Sequence, residues 1–442
     1  LVLAVTEFAF CASPQVFDEV HTDQNKGVRV TIPAEDLAFI KEYAPDIPLV
    51  GGVGAEVWRP AGIDESLRHL QIMEKLGYTD WGFTEQTQSW TFRSVWGLMP
   101  DSALVPEYEA FYDTTCLIAA AGMQTSKIRF SLITDCYRRP PSVMAQTLKT
   151  LDQITKGRVG LFVGTGENKQ FVPHGLERTL PRIERLEEFV RIVKALLRTS
   201  EPATIEGKFW PQTDALLGCP VYDIDAPPPV MVVGGGPATM RLVARVADGL
   251  STYLPGGYAD RPDAMAEDLA IMHAEAERIG RDPSTIPVIA SNVVVLCEND
   301  AEVTRALESP FVRASALTLT PTGAHWKHWG GTHPLGDKYA LSMTHRSTNF
   351  TRAELLETFS KITDEDIQHQ IYIGTPEDVA KRILPWTKVM GHPQVPLGYC
   401  LDWGTTVFPE HRELADDGLP RWHHLQMRFS AAVNRLLAGG DA

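Results

Sequence analysis

From about residue 48, short apolar runs alternate with stretches whose apolar residues recur every three or four positions. "IPLVGGVGAEV" reads as a buried strand. Ile63, Leu67 and Leu70 follow at helical spacing, and Gly77 closes that helix as its C-terminal cap. "DWGFTEQ" predicts a second strand, residues 109–123 a helix, and "KIRFSLITD" a third strand. Met144, Leu148 and Leu151 mark the next helix, and "RVGLFVGTG" the next strand. Ile183, Leu186, Val190, Val193 and Leu197 line a strongly amphipathic helix. "PPVMVVGGG" and "DGLSTYLP" are strands on either side of a helix around 238–247. Met265, Leu269, Met272 and Ile279 line another helix, ended by Gly280. "IPVIASNVVVL" and "VPLGYCLDWG" complete the set.

Strands that are apolar throughout, separated by helices, are buried on both faces, which means a parallel sheet covered by helices. About eight such units favour an α/β fold of the (β/α)8 TIM-barrel type over an open doubly wound sheet. Residues 46–442 form one barrel domain in this reading, and residues 1–45 are an N-terminal extension. Two stretches break the alternation, near 199–228 and 298–365. Both are expected as insertions at the C-terminal face, where barrel loops build pockets and lids.

Composition narrows the function. Hydrophobic residues make up 44% and charged residues 22%, an ordinary globular balance. The net charge of −15 comes without a basic block and argues against nucleic acid and for a small-molecule partner. Cys11, Cys116, Cys136, Cys219, Cys297 and Cys400 stand singly, which fits a reducing cytoplasm better than a disulfide framework. No apolar run has the length of a membrane span. The opening "LVLAVTEFAFCASPQ" has only a faint likeness to a secretory signal and reads as an extension or edge strand.

Candidate chemistry gathers where the strands end. "GTGENKQ" places Gly164, Thr165, Gly166 and Glu167 after the fourth strand, with Lys169 where a dinucleotide fingerprint needs its third glycine. A tight turn accounts for a lone Gly-x-Gly. A second glycine-rich end, Gly234, Gly235 and Gly236 before Pro237, opens a helix whose N-terminus suits an anion such as phosphate. Thr134 and Asp135 end the third strand, with Arg138 and Arg139 just beyond, able to face phosphate or carboxylate oxygens. The second strand ends in Glu85, Gln86 and Trp90, groups that could hydrogen-bond and stack on a ring. The histidines show no metal-binding spacing. His325, His328 and His333 come nearest and lie in a loop-like stretch, so no metal ligand is assigned. A Gly-x-Ser-x-Gly nucleophile elbow is absent as well.

Taken together, "ITKGRVGLFVGTGE", "SLITDCYRRPPSVMAQTLKTLDQIT" and "VMVVGGGPATMRLVARVADGL" resemble the luciferase-like flavin and deazaflavin oxidoreductases. Within them the chain is similar to the branch that uses coenzyme F420, an 8-hydroxy-5-deazaflavin. Gly-Thr-Gly-Glu resembles the glucose-6-phosphate dehydrogenases of that branch. Thr134-Asp135 with Arg138-Arg139, "VPHGLERTLPRIERLEEF" and "GTHPLGDKY…GTPEDV" look closer to phthiodiolone ketoreductases. The resemblance covers roughly residues 48–403.

The resemblance implies a role for each matching residue. Ser131 and Leu132 would form a cis peptide against the back of the deazaflavin, and Thr134 would contact the ring. Gly164, Thr165 and Gly166 would let backbone approach it, with Glu167 at its polar edge. Gly234, Gly235 and Gly236 would hold the phosphate, and Trp90 would face the substrate. Lys169, Arg138 and Arg139 are the candidate groove for the polyglutamate tail. The sugar-phosphate and alcohol dehydrogenases of this kind carry Asp-His where this chain has Glu85-Gln86. Glutamine cannot titrate, so His174, Glu85 or Glu167 would supply the proton.

The expected activity is hydride transfer between F420 and an organic substrate, a carbonyl or an activated double bond, in a homodimer. Trp90, Trp96, Trp326 and Trp329 at the mouth favour an apolar substrate. An FMN-dependent luciferase-like monooxygenase and a non-catalytic deazaflavin-binding barrel are the two alternatives.

Overall fold

A computed structural model describes residues 49–53, 63–75, 78–99, 111–176, 180–390, 400–413 and 419–439, with Ser102, Glu109 and Ala415. The N-terminal extension, the Gly77 cap and the flanks of the first and last strands lie outside the described residues.

The main sheet follows the predicted alternation. Its strands are β1 (Leu49–Val53), β2 (Tyr78–Thr84), β3 (Arg129–Asp135), β4 (Val159–Gly164), β7 (Val230–Val233), β8 (Gly249–Leu254), β9 (Val288–Leu296), β10 (Tyr372–Gly374) and β11 (Cys400–Asp402). Between β4 and β7 lies a separate antiparallel hairpin, β5 (Ala203–Ile205) with β6 (Gln212–Ala215). The strand order is β1-β2-β3-β4-β7-β8-β9-β10, with β11 also pairing β9, and all of these pairings are parallel. Strand β11 also lies beside β1, which rounds the sheet into a barrel. Eight of the nine strands are those read from the sequence. Strand β10, only three residues long, is too short to carry a periodic signal.

The longer helices are α1 (Ile63–Lys75), α2 (Thr114–Gln124), α3 (Pro141–Thr155), α4 (Arg182–Leu197), α5 (Pro237–Val246), α6 (Pro262–Arg278), α7 (Asp300–Glu308), α8 (Pro310–Ala316), α9 (Arg352–Phe359), α10 (Pro376–Met390) and α11 (Arg421–Leu437). Successive strand side chains point to opposite faces, and this divides the core. Leu132, Leu161, Val163, Val232 and Leu250 face the helices and pack with Leu148, Val190, Val193, Val243 and Met265. Their neighbours Ile133, Phe162, Met231, Val233 and Ile289 fill the barrel interior.

The second insertion covers the C-terminal face. Trp326, Phe311, Trp90, Phe92, Trp96 and Trp403 share an apolar core with Val293 and Val295 of β9. The Arg93 N–H donates to Ser347 O and the Asn168 N–H to Ser342 O, both at 2.9 Å, so the cover is tied to the β2 and β4 loops.

The first insertion lies elsewhere, against the expectation. It leaves the end of α4 and re-enters at β7, a helix-to-strand connection, which starts and finishes at the opposite end of the barrel. Its Ala203, Ile205, Ala215 and Leu217 pack on Ala145, Ile192 and Leu196 of α3 and α4. Buried Lys149 donates to Thr199 O at 2.8 Å and Leu217 O at 2.9 Å and anchors it.

Candidate active site

The ends of β2 and β3 are clamped before any ligand is considered. Glu85 is buried; its carboxylate accepts from Thr134 Oγ1 at 2.5 Å and pairs with Arg139 at 2.7 Å. Arg139 reaches on to Asp113, the N-cap of α2, at 3.5 Å. Thr134 and Glu85 therefore serve as a brace between strand ends and helix, and the carboxylate that might have replaced a histidine is already committed. Gln86, next in the chain, keeps its Oε1 buried with no hydrogen-bond partner among the described residues.

Ser131 and Leu132 part company. The pleat puts Leu132 in the helix-side core, while Ser131 falls in the same alternation as Ile133, toward the interior. The expected cis bond between them is not present; the cis bonds of the described residues precede Pro181 and Pro255. Both residues sit in an unbroken parallel register with Gly82 and Phe83 on one side and Gly160 and Leu161 on the other. A bulge at this point would break both ladders.

Asp135 and Arg138 form a second brace. Asp135 accepts from the Tyr137 and Arg138 N–H groups at 2.8 and 2.9 Å and from Arg138 Nε at 2.7 Å. Burial raises its pKa, and the Arg138 charge opposes that shift. Arg138 also donates to Gln170 Oε1 at 2.9 Å, and Gln170 holds Thr87 and Gln88 of the β2 loop. Lys169 is fully buried beside Glu167. The proposed tail groove is thus corrected: all three of its cations are spent on internal carboxylates, Lys169 on Glu167, Arg138 on Asp135 and Arg139 on Glu85.

At the end of β4, the glycines answer to the protein's own packing. A side chain on Gly164 would stand 3.2 Å from Val233 O. Gly166, at φ +63°, has Asp135 Cβ 2.8 Å from where its own Cβ would be, and the Phe171 ring closer still. The tight turn carries Thr165 and Glu167, both half-buried, just past the C-terminal end of β4. Glu167 pairs with Lys169 Nζ at 3.0 Å. Its charge and burial together push the Tyr253 phenol well above its usual range, with burial the larger cause. Tyr253 is the penultimate residue of β8 and was not singled out from the sequence, although its strand was.

The β7 end keeps more freedom. Gly234 and Gly236 have φ of +153° and +83°, and nothing lies within 4 Å of where a side chain on Gly236 would begin. Gly236 is the N-cap of α5, ten residues long, and Gly235 stands exposed beside it. The Gly236 N–H already donates to Asp268 Oδ2 of α6 at 2.7 Å. A carboxylate therefore occupies the anion position that a helix N-terminus offers.

Two further expectations move. His174 is exposed on a short 3-10 turn at Val172–His174. Trp90 is buried and stacked on Trp403 at 6.3 Å, part of the cover's core together with Trp96 and Trp326. A histidine that the sequence left unmarked, His345, is completely buried behind the β2 loop. Its Nε2 lies 3.2 Å from Ser89 O and its Nδ1 accepts from Tyr339 Oη at 2.6 Å, which assigns the neutral Nε2–H tautomer. Among the described residues no group of three or more His, Cys, Asp or Glu is placed to hold a metal, and no helix is long and apolar enough to cross a membrane.

The profile of the luciferase-like monooxygenases matches residues 48–392. A phthiodiolone/phenolphthiodiolone dimycocerosates ketoreductase of Mycobacterium bovis is 29% identical over 286 residues, 64% of this chain and 73% of its own. An F420-dependent glucose-6-phosphate dehydrogenase of Nakamurella multipartita is 37% identical over 140 residues, 30% of this chain and 40% of its own. Among solved structures, an F420-dependent secondary alcohol dehydrogenase in complex with an F420-acetone adduct superposes with a TM-score of 0.57 at 21% identity. It covers 79% of this chain and 94% of its own. The chain belongs to the luciferase-like family, as an oxidoreductase built on a TIM barrel.

Proposed function

We propose that this protein is a coenzyme F420-dependent oxidoreductase that transfers hydride between the deazaflavin and a carbonyl substrate. The observation that carries the reading is the pairing, on neighbouring strand ends, of a half-exposed carboxylate with an open glycine backbone. Glu167 ends the β4 side beside Tyr253, and Gly236 heads α5 on the β7 side. F420-dependent relatives by sequence support the choice of cofactor.

The residues fit the group on two counts. Gln86 Oε1 is a buried acceptor without a donor, suited to a ring N–H or hydroxyl. Open space lies beside Gly236, where an anion would take the place of Asp268 at the Gly236 N–H. Ser131 would line the interior beneath the ring, and Gly164 and Thr165 its edge. When bound, F420 supplies a two-electron hydride donor or acceptor with no easy one-electron route. In this reading the protein would hold the reacting carbons in contact and exclude water with its aromatic cover, and Glu167 would serve the substrate oxygen. With Gln86 unable to titrate, Glu85 clamped by Arg139 and His174 exposed, Glu167 is the proton donor of this reading.

Titrating the apoprotein with F420 and separately with FMN, read by tryptophan fluorescence, tests the assignment. Saturable quenching by F420 alone is expected; preference for FMN would move the protein to the monooxygenase alternative. Tight F420 binding with no turnover on ketones would favour the non-catalytic barrel. A companion variant probes the anion site. Asp268→Asn keeps a hydrogen-bond acceptor but removes the competing charge, so it should tighten F420 about threefold to tenfold, an effect of the size typical for charges at a helix N-terminus. Weaker binding by this variant would place the phosphate elsewhere.

A further inference from the structure

We infer that Lys169 is a positioning residue that acts through Glu167, holding its carboxylate at the mouth and storing the proton it delivers; the inference rests on the carbonyl-reduction reading above.

Lys169 has no exposed surface, yet its ammonium lies 3.0 Å from Glu167 Oε2 as an ion pair and finds no well-aligned hydrogen-bond acceptor among the described residues. A lysine enclosed with only one partner is costly, because desolvation is repaid only by that partner and by hydrogen bonds. Packing does not require it, since a methionine would fill the same space. The charged and titratable groups facing it are Glu167 on its own turn, Glu109, Arg138 from the β3 loop and His345 from the cover. His345 is held neutral chiefly by its burial, with the Lys169 charge adding to the effect, and Arg138 is committed to Asp135. Glu167, partly exposed at the mouth, is the route by which the Lys169 proton can leave.

The step balances as follows. The Lys169 Nζ–H bond breaks and an O–H bond forms on Glu167 Oε2, leaving a neutral amine and a carboxylic acid. That O–H then breaks as a new O–H forms on the substrate oxygen, whose negative charge arises from hydride reaching the carbonyl carbon from the reduced deazaflavin. Solvent restores the proton to Lys169 through Glu167. An ionised carboxylate can thereby deliver a proton near neutral pH without a histidine.

The test has two arms. In the first, oxidation of reduced F420 by a series of aliphatic methyl ketones is followed in wild type, Lys169→Met, Lys169→Arg and Glu167→Gln. Loss of kcat by about 100-fold in all three variants with little change in KM is expected, with the double variant K169M/E167Q no slower than either single one. Arginine keeps the charge but cannot release its proton, so Lys169→Arg should fail to rescue. Wild-type kcat should fall on the alkaline side at a pH below that of an ordinary lysine, since burial disfavours the ammonium; the residual rates of both Lys169 variants should lack that limb. Full rescue by Lys169→Arg would overturn the proton store, and so would independent, multiplying losses.

The second arm uses urea unfolding of the apoprotein and needs no turnover. Glu167→Gln should be destabilised by leaving an unpaired ammonium inside, and Lys169→Met should restore stability in that background. Additive losses would overturn the pairing while leaving the F420 reading standing. If wild type turns over no ketone but the cycle shows coupling, the carbonyl reading falls and the proton-delivery role falls with it.

Discussion

Acidification from pH 6 toward pH 4 is expected to weaken this protein by about 1.4 kcal/mol per pH unit through His345 alone. Burial, reinforced by the nearby Lys169 charge, lowers its pKa from 6.5 to about 3. Between those values the unfolded chain binds a proton that the native imidazole refuses. Stability therefore rises with pH across this window and is lost as pH falls, first near 6.5 and fully by about 3. A proton on Nδ1 would oppose the Tyr339 hydroxyl and place a cation beside Lys169. The cover should loosen from the β2 loop first, because His345 joins Tyr339 to Ser89. Urea unfolding of wild type and His345→Asn at pH 7 and pH 5 checks this. The variant should be weaker at pH 7, and the gap should narrow at pH 5; parallel pH curves would assign the acid sensitivity elsewhere.

Gly166→Ala should cost about 3 kcal/mol, combining roughly 1–2 kcal/mol for a left-handed non-glycine residue with about 1–3 kcal/mol for overpacking. The new methyl group would meet the Phe171 ring and Asp135 Cβ at once. Asp135 holds Arg138, and Arg138 holds Gln170, so the strain would spread to the β2 loop and to Glu167. Gly175→Ala provides the control. It has a left-handed backbone, at φ +72° and ψ +15°, but open space at the side-chain position, so only the backbone cost of about 1 kcal/mol applies. Equal unfolding midpoints for the two variants would show that the β4 turn can relax around a side chain.

These two results concern residues that the chain advertises unequally. Gly166 stands in a visible Gly-Thr-Gly-Glu run, but its reason is Phe171 and Asp135, one five residues later and the other on a different strand. His345 sits in a segment with no helical or strand period, and nothing local marks it as buried. Arg138, Arg139 and Lys169 read as a basic cluster because spacing shows three cations close together; it does not show Asp135, Glu85 and Glu167 folded against them. Trp90 looked like a ring-stacking group until Trp403, more than three hundred residues away, took that face.

What the sequence determined by itself was the barrel and the address of its chemistry. Strand and helix periods are local properties, so the eight runs and the ends where Glu85, Thr134, Glu167 and Gly236 lie could be read directly. Which of those groups are free and which are spent is a property of distant pairs. Only the tertiary structure decided that Glu85 is a brace, that Leu132 turns to the helices, and that Asp268 stands at the Gly236 N–H. It alone placed Lys169 behind Glu167. The physical reason is that a charge's availability depends on burial and on partners brought together by folding, and no spacing along one chain encodes either.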